Sequence, residues 1–211
     1  NTITDAIGWW DNMTMWQQEL LGIDEYKPVR FNNKMCAISL SSGYQSATDY
    51  RTQYAETYIN NLLPYSRMMS NGDNVWGPAH ENGHVHQYGI NMIACSEVSN
   101  NLFSNLTLYK LGKYMSRGGK ISEIVDAYEK NIAWPSRDIN FTLRMYWQLY
   151  LYYHVAGNNP EFYPTLFRIL RESPLKKTSD TSVNYGRYDL LHFVEKCCEA
   201  SGEDMTDFFE A

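Results

Sequence analysis

Positions 80 to 84 read His80-Glu81-Asn82-Gly83-His84. In a helix of 3.6 residues per turn, side chains four apart stand on one face, one turn and about 40° from each other, so both imidazoles reach a single metal ion. Zinc takes neutral imidazole nitrogen at about 2.0–2.1 Å, and a catalytic zinc keeps three protein ligands with one position open. Glu81 then stands beside the ion rather than on it, placed to take a proton from the attacking water and pass it to the departing amine. The pattern predicts one Zn2+ ion held by His80 and His84, with Glu81 as general base. The competing reading makes His80 and His84 ordinary polar groups of a half-buried segment. On that reading Asn82 and Gly83 signal that no helix forms, since Gly costs about 1 kcal/mol relative to Ala.

His86 follows closely but falls about 240° around the helix from His80 and so points away from the metal face. It reads as a structural histidine, with Gln87 as its expected partner. A third ligand must come from another segment. Glu97, in the first turn of the next expected helix, leads, because a helix, a short reversal and an antiparallel return bring it to the open side of the ion. A carboxylate there is also stabilised by the helix dipole with no metal at all. His154 and His192 compete as ligands, each alone on an aromatic or apolar helix face.

The elements carrying these residues read as mainly helical, because apolar residues recur at three- and four-residue spacing through most of the chain. The fold class is therefore mainly α, or α+β if the few extended pieces pair. A first helix is expected over about Asp5 to Leu21, with Ile7, Trp10, Met13 or Thr14, Gln17 and Leu21 along its stripe and Gly22 as its stop. Lys27 to Leu40 suggests extended pieces around an Asn32-Asn33 turn, and Ser41-Ser42-Gly43 breaks them. Helical spacing resumes near Thr48 and runs through Tyr54, Tyr58 and Leu62 to Pro64. After a polar turn at Ser70 to Asn74, Gly77-Pro78 reads as the start of the motif helix, since Pro at the first helical position loses an amide hydrogen with no partner there. That helix is expected to end at Gly89. Ser96 is the expected N-cap of a helix running to about Tyr114. Further helices are expected at Ser122 to Asn131, Asn140 to Val155, Pro160 to Leu170, Tyr188 to Ala200 and Asp204 to Glu210.

The chain has 211 residues, 44% hydrophobic and 20% charged, a balance that excludes a disordered chain and allows one good-sized core. Aromatic residues reach 15%, which suits a thick core or a surface that stacks on sugars or peptides, with the core reading favoured. A formal charge of −6 argues against nucleic acid, which needs clustered Lys and Arg. No run approaches 18 apolar residues, so no transmembrane segment is expected. Cys36, Cys95, Cys197 and Cys198 form no metal or disulfide framework. A chain that opens on Asn1 rather than Met is expected to be cut from something longer, with residues 1–211 forming one compact domain. No feature specifies an oligomeric state.

A family resemblance joins these readings. Trp76 to Gln87 resembles the M60-like (enhancin-related) zinc peptidases, whose motif commonly reads HExGH, one residue, then HQ. Glu97-Val98-Ser99-Asn100-Asn101-Leu102-Phe103-Ser104 is similar to the glutamate-bearing segment of the same family. Ser42-Gly43-Tyr44-Gln45 resembles its Gly-Tyr segment more loosely. The resemblance implies a zincin-like catalytic domain of gluzincin type with Glu97 as third zinc ligand. It implies cleavage of peptide bonds in extracellular glycoproteins, mucin-like ones with O-glycans among them, and hence a secreted or cell-surface location. Trp134, Arg137 and Asp138 would suit sugar recognition, with Trp stacking and Arg or Asp bonding to hydroxyls; the same residues also read as a loop and helix cap.

The expected function is thus a zinc endopeptidase with a small extended element upstream of the motif helix, offering an edge along which substrate lies. Tyr146, Tyr150, His154, Tyr185 and His192 all have the chemistry to steady a developing oxyanion, and sequence does not choose among them. The rivals are a glycan-binding or scaffolding module with a vestigial metal site, and a metallopeptidase indifferent to glycans.

Overall fold

The computed structural model describes residues 3–24, 34–37, 43–48, 51–92, 95–113, 120–132, 139–176 and 187–210. The chain opens with α1 (Ile3–Leu20). Three short strands follow, β1 (Lys34–Ala37), β2 (Gln45–Thr48) and β3 (Arg51–Tyr54). Next come α2 (Glu56–Leu62), α3 (Tyr65–Met69) and the motif helix α4 (Gly72–His86), which runs into a 3-10 turn at Gln87–Gly89. The rest is helical: α5 (Ser96–Ser99), α6 (Asn101–Lys110), α7 (Ile121–Glu129), α8 (Ile139–Tyr150) with a π-helical extension at Leu151–Val155, α9 (Phe162–Glu172), α10 (Arg187–Ser201) and α11 (Thr206–Glu210).

The mainly helical expectation holds, and its boundaries shift where tertiary contacts outweigh local pattern. In α1 the buried stripe is Ala6, Trp9, Met13, Gln17 and Leu20, while Ile7 is 54% exposed. The stripe turns by about one residue because Trp9 packs with Val75, Trp76 and Ala79 of α4, leaving Trp10 to meet Tyr54 edge-on. The helix expected from Thr48 is corrected more deeply, since Gln45–Thr48 and Arg51–Tyr54 are strands. Tyr54, Ile59 and Leu62 do share a buried cluster, but across a strand-to-helix corner at Ala55 rather than along one helix face.

The sheet order is β1-β3-β2, with β1 parallel and β2 antiparallel to β3, which leaves β2 at an edge. The Asn32-Asn33 turn lies outside the described residues.

Pro78 is inside α4 rather than at its start. The helix begins six residues earlier, where Asn71 Oδ1 accepts the Asp73 N–H at 2.9 Å. A mid-helix proline costs roughly 3 kcal/mol, and burial of Val75, Trp76 and Ala79 offsets it. The helix expected from Ser96 divides at Asn100 into α5 and α6, with Cys95 rather than Ser96 at the N-cap.

The largest apolar cluster joins α6, α8, α9 and α10 through Phe103, Tyr146, Trp147, Phe162, Tyr163, Phe167 and Phe193. Much of the aromatic excess is therefore core. Cys95, Cys197 and Cys198 are free thiols.

Candidate metal centre

The middle of α4 carries the motif, and three independent contacts define what surrounds it. Gly83 faces the α5–α6 junction so closely that a Cβ there would lie 2.4 Å from the Asn100 carbonyl oxygen. Only glycine permits that approach. It brings Glu97, in the first turn of α5, over the two imidazoles. Glu97 Oε2 lies 3.3 Å from His80 Nε2 and 3.6 Å from His84 Nε2. One ligand atom from each of the three residues falls within 4.8 Å of the others. Donors about 2.0–2.1 Å from a tetrahedral ion sit about 3.3–3.4 Å apart, a spacing the two Glu97 distances approach, so the three residues form a candidate metal triad. The Asn100 amide nitrogen packs against both rings, 2.9 Å from His80 Nδ1, 3.2 Å from His80 Nε2 and 3.0 Å from His84 Nε2.

Neighbouring amides aim the rings. His80 Nδ1 donates to Asn101 Oδ1 at 2.7 Å, the tautomer that leaves Nε2 bare, and its ring stacks on Trp76 at 4.6 Å. Asn101 is itself held by a 2.8 Å bond from Nδ2 to the Glu97 carbonyl. His84 Nδ1 lies 2.7 Å from the Gln87 amide, and the Ser99 hydroxyl donates to the same amide at 2.6 Å. A half-turn of that amide would give His84 Nδ1–H an oxygen acceptor, and the hydroxyl accommodates either orientation.

Charge states favour the same use. Burial, reinforced by His80, holds the His84 pKa below its ordinary value and keeps the ring neutral. Contact with the His80 ring nitrogen, with His84 adding to it, lowers the Glu97 pKa from its ordinary value despite partial burial. Burial pushes Glu81 up to about 7; His80 opposes the shift and Glu97 adds to it. Such a value suits a group that must both take and return a proton near neutrality.

These residues line a cleft of about 600 Å³ whose other wall is β2, Gln45 to Thr48, with Gln87, Tyr88, Asn91 and Ser96 closing one end. Among the described residues the edge that lines this cleft is β2, just after the break read at Ser41-Ser42-Gly43.

Several expected site residues lie elsewhere. Tyr146 is fully buried and donates to the Ile90 carbonyl at 3.1 Å. Tyr150 and His154 stack on each other at 5.1 Å and line a separate pocket with Trp16 and Lys110. None of the three lines the metal cleft, so the oxyanion role does not fall to them. His192 bonds the Ser173 carbonyl, and Trp134, Arg137, Asp138 and Tyr185 lie outside the described residues. His86 turns away from the metal as expected, but its partner is Gln17 at 2.8 Å rather than Gln87. Asn101 and Gln87 were missed as site residues. Asn101 had a readable signal, standing four residues after Glu97 and so one turn along from it.

Residues 2–211 match the family described as peptidase M60, enhancin and enhancin-like. The chain belongs to the M60 family. A metallopeptidase from Bacteroides thetaiotaomicron resembles this M60 chain with a TM-score of 0.84 and 40% identity, over 100% of the chain and 36% of that structure. A metallopeptidase solved in complex with Tn antigen gives 0.85 and 41%, over 100% and 40%. The M60 catalytic domain of Clostridium perfringens ZmpB, solved with two CBM51 domains, gives 0.63 and 20%, over 97% and 21%, a likeness of fold. The chain therefore spans well under half the length of these relatives. No curated protein matches it. The fold is that of a mainly helical metallopeptidase domain.

Proposed function

We propose that this M60 domain is a zinc-dependent endopeptidase that cleaves extracellular glycoproteins, with mucin-like O-glycosylated chains as its substrates. The observation that carries the reading is the meeting of His80, His84 and Glu97 at one point, with the Glu81 carboxyl on the same cleft wall. His80, His84 and Glu97 hold the ion, which when bound supplies Lewis acidity to the scissile carbonyl and acidifies the attacking water. Glu81 accepts the proton of that water as its oxygen bonds to the carbonyl carbon. The same proton then passes from Glu81 to the amine as the C–N bond breaks. Asn101 and Gln87 keep the imidazoles oriented. The substrate backbone lies along β2, whose outer edge has no paired strand among the described residues.

The cleft wall supports a polar substrate. Apart from Glu81 and Glu97, its polar groups among the described residues are amides, hydroxyls and imidazoles, suited to peptide and sugar hydroxyls rather than to a charged side chain. The relative bound to Tn antigen, 41% identical to this chain, supports an O-linked sugar as part of the recognised unit. Such substrates place the enzyme outside the cell.

The test pairs Glu81→Gln with one O-glycosylated protein before and after enzymatic removal of its glycans. Expected are retained zinc by elemental analysis, a loss of cleavage of about 10²–10⁴-fold in the variant, and wild-type cleavage that disappears with the sugar. Full activity of Glu81→Gln would sink the mechanism, and equal cleavage of both substrates would leave a peptidase indifferent to glycans.

A further inference from the structure

On the side of α4 away from the metal, one glutamine from α1 meets the active helix at three points. Gln17 Nε2 donates to the Ala79 carbonyl at 3.2 Å, and Gln17 Oε1 accepts from Asn82 Nδ2 at 2.9 Å and from His86 Nδ1 at 2.8 Å. Gln17 and Asn82 are fully buried, and His86 is nearly so. Because Oε1 only accepts, the His86 proton sits on Nδ1; its Nε2 has no hydrogen-bond partner among the described residues, and the Phe103 ring lies 5.9 Å from the imidazole.

Ala79, Asn82 and His86 share one stripe of α4, within about 60° around the axis, while His80, His84 and Gln87 share another about 140° away. A helix held only by apolar packing is free to turn by small angles, since side-chain ridges slide with little loss. Three directional bonds to one rigid amide are not, and a buried amide left unpaired is costly.

We propose that Gln17 is the positioning residue of the metal centre, fixing the rotation of α4 so that His80 and His84 face Glu97. This rests on the zinc reading above. The hub spans 62 to 69 residues of sequence, so it couples the folding of α1 to the assembly of the site.

The test is Gln17→Met, which keeps length and burial and removes all three bonds to α4, together with the 3.5 Å bond from Gln17 Nε2 to the Thr107 hydroxyl. The full chain is stripped with a chelator and titrated with Zn2+ against a chromophoric competitor, and the Co2+-substituted protein is read by its visible absorption spectrum. Expected are a zinc affinity about tenfold weaker and a changed Co2+ spectrum. The comparison is Met205→Ala, beside Tyr153 at the far end of the large apolar cluster, which lowers thermal stability and leaves zinc affinity and spectrum as in the wild type. Should Gln17→Met fail to fold, Gln17→Glu, which retains the acceptor and loses the donor to Ala79, is read the same way with a loss of about threefold. Wild-type affinity and spectrum in a folded Gln17 variant would overturn the positioning role alone. Failure of the wild type to bind zinc would overturn the metal reading beneath it and this role with it.

Discussion

Gly83 shows how far residue type alone leads. In sequence it counts against a helix; in the structure it is the space through which the Asn100 backbone passes. Gly83→Ala places a methyl 2.4 Å from a carbonyl oxygen that has no rotamer to escape into, so α4 and the α5–α6 junction must part. The expected cost is about 1–3 kcal/mol in urea unfolding, with weakened zinc binding in the same variant; an unchanged midpoint would show that the junction yields freely. Gly77 differs, since a Cβ there meets the end of the flexible Gln45 side chain at 2.5 Å. His80, Glu81 and His84 were legible because their geometry is set by one helix. Asn100, Asn101 and Gln87 were less so, since an amide gains its role from the ring it faces, and most of those contacts cross between elements.

At the scale of elements, α4 is a motif helix begun early. The Asn71 cap satisfies one of the bare N–H groups of its first turn, nine residues before His80. Asn71→Ala should cost about 1 kcal/mol, or about 2–4 °C in melting temperature for a chain of this size. Cleavage measured well below the melting temperature should be unchanged, because the cap stands two turns and more from the ligands. A fall in activity at full folding would mean that the cap also sets the helix axis. β2 was the element hardest to read. Its four residues, Gln45 to Thr48, are too few for a convincing alternation, and they become a strand by pairing with β3, which ends in the fully buried Tyr54.

For the whole molecule, acid stability follows from buried titrating groups. Burial drops His86 to about 4, and burial with Lys110 nearby drops His154 to about 4, so both stay neutral in the fold and take up protons on unfolding below about 6.5. Glu81, raised to about 7, works the other way and releases a proton on unfolding above about 4.5. Between these limits the uptakes by His86 and His154, with His84 acting in the same direction, outweigh one release. The metal-free protein should gain about 1.4 kcal/mol per pH unit from pH 5 to pH 6. Urea unfolding in the presence of a chelator measures this, and a flat or falling profile would contradict it.

What the sequence determined by itself was chemistry that one helix can hold: two imidazoles and a carboxyl at helical spacing, and the mainly α class that follows from apolar periodicity. Tertiary structure decided the rest. Glu97 over the imidazoles, Gln17 behind them, β2 across the cleft, and Tyr146 and Tyr150 away from it all depend on which distant surfaces pack together. Local spacing is a property of neighbouring residues, whereas the approach of segments tens of residues apart is set by the packing of the whole chain.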